Sequence, residues 1–118
     1  MPIKLNLLAF EHAKELIKER RVVADEREAW REHRPSAEDE DDFIRQHGLG
    51  EYAKWYLGID VREGEEDSKE RYKFPYGDFK DLHHCGVMAV ESRAQESEYY
   101  DIGVAATDLH LMLDRKGK

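Results

Sequence analysis

At 118 residues the chain fits a single domain (1–118), with a modest core that buries somewhat under ~70% of the surface its unfolded form would expose. Apolar residues make up 40% and charged residues 39%, against ~25% charged in an ordinary globular chain, so that core must be small and well placed. The formal net charge of −8 repels phosphate backbones and anionic membranes, which sets aside nucleic acid and membrane partners as first readings.

The start, MPIKLNLLAF, is interrupted by Lys4 and Asn6 and lacks a small-residue cleavage site, so it reads as part of the fold and not as a leader. One cysteine forms no internal disulfide, and a reducing cytoplasm is the expected location. Asn6 is a competent N-cap for a first helix running to about Arg21, in which Ala9, Phe10, Ala13, Leu16 and Ile17 share one sector of about 120°. Residues 22–35 hold Val22, Val23 and Trp30 among many charges and read as a connector pinned by the tryptophan. Ser36 caps a second helix ending at Gly48, and the acids Glu38 to Asp42 fall mostly in its first turn, where the helix dipole favours them. A short aromatic helix is expected over about Gly50–Leu57, followed by a charged flexible loop at 58–70.

In the run RYKFPY the alternation of Tyr72, Phe74 and Tyr76 with basic residues suggests a minor extended segment near 71–76, which Pro75 keeps out of the middle of a sheet. Asp78 then reads as the N-cap of a long helix from Phe79 to about Gln95, and Asp101 as that of a last helix from Ile102 to about Asp114. The expected fold class is therefore mainly α: four to five helices, with a C-terminal antiparallel helical hairpin packed on the N-terminal helix. Val104 and Leu111 point away from the core stripe of the last helix, a sign that this face is covered by another segment or another subunit.

The stretch DLHHCG invites a metal reading, but consecutive residues on a helix diverge by about 100° each, so a continuous helix cannot turn His83, His84 and Cys85 onto one ion. The six histidines are scattered and show no His-x-x-x-His or Glu-x-x-His spacing, so no metal site and no cofactor is assigned; a zinc site assembled from distant histidines stays open but has no signature. In projection His84 faces outward and Cys85 inward as a small apolar residue, while His83 and Arg93 fall in the apolar sector, where both need partners. The structural reading satisfies them with carboxylates and carbonyls. The functional one has them bind an anion or carboxylate beside Tyr72, Phe74, Tyr76 and Asp78, with Arg93 taking the negative charge and His83 serving as acid, base or donor. Gly86, between them in projection, reads as a point of close backbone approach.

The run RYKFPYGDF, followed by His, Gly and SRA over residues 71–94, resembles small uncharacterised bacterial proteins with an aromatic-x-Phe-Pro-Tyr-Gly-Asp-Phe turn before a helix. That resemblance implies a stand-alone bacterial domain and brings no activity with it. No phosphate loop, nucleophile elbow or dinucleotide fingerprint is present, so the expectation is a non-enzymatic cytoplasmic module for protein interaction or homo-oligomeric assembly. The alternatives are a small-ligand protein or enzyme using His83 and Arg93, and an acidic mimic of nucleic acid.

Overall fold

The computed structural model describes residues 3–26, 29–61 and 69–116. Among these, five short strands and six helices follow one another as β1 (Ile3–Leu5), α1 (Leu7–Lys18), β2 (Val22–Val23), α2 (Trp30–His33), α3 (Ala37–His47), α4 (Leu49–Ala53), β3 (Tyr56–Asp60), β4 (Tyr72–Pro75), β5 (Leu82–His83), α5 (His84–Glu96) and α6 (Tyr100–Lys116). The architecture is mixed α/β, which corrects the mainly α expectation. The physical reason lies in β3. All but one of its five residues are buried, so it carries none of the polar alternation that marks a half-buried strand, and its aromatic start looks like the continuation of a helix.

The central β3 pairs antiparallel with β1 (Ile3 opposite Asp60, Leu5 opposite Gly58) and with β4 (Tyr56 opposite Pro75, Gly58 opposite Lys73). The sheet order β1-β3-β4 puts Pro75 at the end of an edge strand, where its missing N–H breaks no interior ladder. The aromatic helix is thus shorter than expected, Leu49–Ala53, and residues 58–60 of the expected loop belong to β3, while 62–68 lie outside the described residues. Asn6 occupies the N-cap position of α1, but its side chain goes elsewhere: Nδ2 donates to the carbonyls of Ala53 (2.9 Å) and Tyr56 (3.0 Å), and its backbone N–H donates to Leu57 O (2.8 Å). One buried amide so fastens the start of α1 to the joint between α4 and β3.

The helices α5 and α6, joined at Ser97–Tyr99, pack along each other, and α6 also meets α1 and β1. Ile102, Ala105, Ala106, Leu109 and Leu113 of α6 and Ala9, Ala13, Leu16 and Ile17 of α1 are buried. Asp101 closes this end, its two oxygens accepting the N–H groups of Ile102 and Leu5 (2.8 Å each). Helix α3 has no fully buried residue; a Ser36–Asp39 capping box starts it, and a Phe43–Phe79 stack at 4.6 Å and the Tyr56 hydroxyl donating to Glu40 at 2.9 Å hold it down. Two of its acids form ion pairs, Asp41 with Lys69 across the fold and Asp42 with Arg45 one turn on. No helix among the described residues is long and apolar enough to cross a membrane.

The helix expected from Phe79 begins only at His84. Asp78 caps a turn instead: Oδ1 accepts the N–H groups of Lys80 (3.0 Å) and Asp81 (2.8 Å), Phe79 takes a left-handed φ of 71°, and Leu82–His83 runs extended, parallel to Val22–Val23. Gly86 then lets two elements approach the first turn of α5. A β-carbon there would lie 2.6 Å from the Tyr76 carbonyl oxygen and 3.0 Å from the Trp30 ring. Gly86→Ala is therefore expected to destabilise the protein: a clash with fixed backbone, worth about 1–3 kcal/mol, exceeds the ~1 kcal/mol gained in helix propensity. A lower midpoint in urea unfolding checks it.

Candidate metal centre

The parallel pairing of Val23 with His83 carries the chain after β2 past the start of α5, so that Asp25 reaches it. Trp30, resting on Gly86, brings α2 and its last residue His33 to the same place, the His33 and His83 rings lying 5.1 Å apart. Four side chains from three segments thereby converge. Asp25 Oδ2 accepts from His83 Nδ1 at 2.6 Å and from His33 Nδ1 at 2.7 Å, and Oδ1 accepts the backbone N–H of Cys85 at 2.8 Å. One donor atom from each of Asp25, His33, His83 and Cys85 lies within 4.8 Å of every other.

Behind this group His83 Nε2 donates to Asp78 Oδ2 at 2.9 Å. With a carboxylate on each ring nitrogen, His83 is set to donate from both in its imidazolium form; desolvation opposes that charge, but Asp78 and Asp25 outweigh it and the pKa is raised. Burial likewise works against ionised Asp25, yet the hydrogen bonds from His83 and Cys85 hold its carboxyl below the usual range. Burial, with the Asp25 carboxylate beside it, pushes the Cys85 thiol up to about 12. The arrangement is thus a carboxylate–imidazole clasp. Cys85 is no nucleophile there and His83 has no free nitrogen with which to act as a base.

The same atoms suit a tetrahedral transition-metal ion. Ligand bonds of about 2.0–2.3 Å separate neighbouring donors by roughly 3.3–3.6 Å, so the Asp25 oxygen and the two imidazole nitrogens need to open by less than about 1 Å. Two supports that an ion requires are already in place. Asp78 fixes the ring of His83 with Nδ1 facing the cluster, the carboxylate–histidine arrangement that backs metal ligands, and the Cys85 N–H orients the Asp25 carboxylate. His83 and Cys85 are buried while His33 is exposed, so the group is open to solvent on the His33 side.

Of the residues singled out from the sequence, the structure brings His83 and Asp78 together. Arg93 is exposed, its guanidinium 5.7 Å over the Phe74 ring. Phe74 and Tyr76 are core residues, the Tyr76 hydroxyl donating to Lys54 O at 2.6 Å, and half-buried Tyr72 packs edge-on to Tyr52. Asp25 and His33 escaped sequence reasoning. A helix through both His83 and Cys85 would keep them from sharing an ion, whereas His83 is in a strand; their i,i+2 spacing, natural to an extended segment, is the signal the sequence offers.

No protein-family model, no curated protein and no solved structure matches the chain. The geometry therefore carries the functional argument alone. Asp25→Asn is expected to destabilise the metal-free protein by about 3 kcal/mol, because it leaves the buried His83 charge without one of its two partners; equilibrium urea unfolding in the presence of a chelator measures this.

Proposed function

We propose that the chain is a transition-metal-binding domain in which Asp25, His33, His83 and Cys85 hold one ion, with zinc the best fit. The observation that carries this is the convergence of two imidazoles, a carboxylate and a thiol from three segments, with His83 braced from behind by Asp78. Oxygen, nitrogen and sulfur donors together suit zinc better than magnesium or calcium, which prefer all-oxygen shells. Four protein ligands close the coordination sphere, the pattern of a structural ion and not of a catalytic one. Bound there, the ion would displace the protons from the thiol and from Nδ1 of both His83 and His33, and tie residues 25–33 to the β5–α5 junction, so that metal binding contributes to folding.

Adding zinc to chelator-treated protein is expected to raise stability by about 2.7 kcal/mol at a hundredfold excess over the dissociation constant. Cobalt(II) in its place should give a sulfur-to-metal charge-transfer band that Cys85→Ser abolishes. A wild-type protein with neither response would overturn the reading.

A second reading, assembly through α6, is favoured by Val104 (63% exposed) and Leu111 (51%), which lie one heptad apart on the outer face of that helix together with Tyr100. Self-association of the chain through this face accords with the expectation drawn from its sequence. Light scattering should then give a dimer or larger that Val104→Glu with Leu111→Glu returns to monomer; a wild-type monomer at high concentration would remove the idea.

A further inference from the structure

His84, the first residue of α5, turns away from the cluster that its neighbours His83 and Cys85 join. Its ring lies 5.2 Å from that of His110 on α6, at 68°, and its Nε2 is buried with no hydrogen-bond partner among the described residues. One turn further along α6, Asp114 Oδ2 stands 3.9 Å from His110 Nε2, too far for a hydrogen bond. Donor atoms of His84, His110 and Asp114 all lie within 4.8 Å of one another.

His110 is also braced. Glu91 on α5 receives its Nδ1 on Oε1 at 3.1 Å and the Thr107 hydroxyl on Oε2 at 2.8 Å. That contact takes up Nδ1 and leaves Nε2 facing His84 and Asp114, the same carboxylate–histidine support that Asp78 gives His83. A gap of 3.9 Å between an imidazole nitrogen and a carboxylate oxygen is close to the roughly 3.3 Å between neighbouring donors of a tetrahedral ion. A hydrogen-bonded pair would sit closer. The unpartnered His84 nitrogen on the third side is the acceptor that an ion would complete.

We propose that His84, His110 and Asp114 form a second transition-metal site, with Glu91 as the residue that positions His110. Two imidazoles and one carboxylate suit zinc, cobalt or nickel ions and leave a fourth position for water or another small ligand. The site contains no sulfur and is more exposed than the Asp25 cluster, so its ion exchanges more readily. It shares no ligand with the first site and does not depend on it.

Cobalt(II) titration of the full chain, with bound metal counted by equilibrium dialysis against cobalt-containing buffer, tests this. Wild type is expected to bind two ions per chain, Asp114→Asn and His110→Ala one each, with the sulfur charge-transfer band unchanged in both variants. Glu91→Gln should weaken the band-free ion by about 10–100-fold without altering the other. Asp114 is half exposed at the end of α6, so its variant keeps the fold even where His110→Ala does not. Cys85→Ser should remove the band and leave the His110-dependent ion, and the same ion without any band in wild type would sink the first site while supporting this one. A wild type that binds only the band-producing ion, or an Asp114→Asn protein that binds as much cobalt with the same affinity, would overturn the proposal.

Discussion

A single imidazole joins three parts of the chain that are distant in sequence. His83 ends the parallel pair with β2, hydrogen-bonds Asp25 beyond that strand and Asp78 in the preceding turn, and leads directly into α5. An imidazolium with a carboxylate on each ring nitrogen has its charge and both donors satisfied at once, so its near-complete burial is tolerable where an unpaired histidine would lose several kcal/mol in hydration. The elements around it depend on that exchange. Without His83, the Asp78 carboxylate loses its link to the segment that leads into α5, and the 24–26 segment keeps only the Cys85 N–H to Asp25 as a polar tie to the start of that helix.

Close packing brings these polar groups together. Gly86 admits the Tyr76 carbonyl and the Trp30 ring to a distance no β-carbon would permit, and Gly77, where a β-carbon would meet the Asp81 carbonyl and the Trp55 ring at 2.6 Å, does the same for the turn. Trp30 carries α2 and therefore His33 onto His83. Two missing methyl groups thus determine whether four donor atoms meet, a dependence that ties the chemistry of the centre to the apolar packing beneath it.

Long amphipathic elements were legible in the sequence. The apolar stripes of α1 and α6, the Ser36 cap, the Gly48 stop and the close approach at Gly86 all follow from spacing or from the needs of one residue type, and such signals survive whatever the rest of the chain does. Of the described strands only the edge strand at 72–75 was legible, from the alternation of its aromatic residues; the others were not, for a physical reason: none is longer than five residues, and β3 is covered on both faces, so period two has no room to appear. The candidate centre failed for a related cause. Its ligands depend on a two-residue parallel pairing between β2 and β5, a contact across about 60 residues that no local pattern encodes. His83 could be suspected from its place in an apolar sector; Asp25 and His33 sit among so many charges that nothing distinguishes them.

The boundary between β5 and α5 also explains how neighbouring histidines come to face different surroundings. In extended backbone successive side chains point to opposite sides, whereas in a helix they advance by about 100°. His83 is the last extended residue and His84 the first helical one, so they part, while Cys85 returns to the side of His83. A helix running unbroken from Phe79 would have spread all three around its surface. Ending the strand at this residue, the last to pair with β2, sorts the trio into a pair directed at Asp25 and a single imidazole directed at α6. The position of one secondary-structure boundary, more than the identity of the residues beside it, decides what chemistry the three can share.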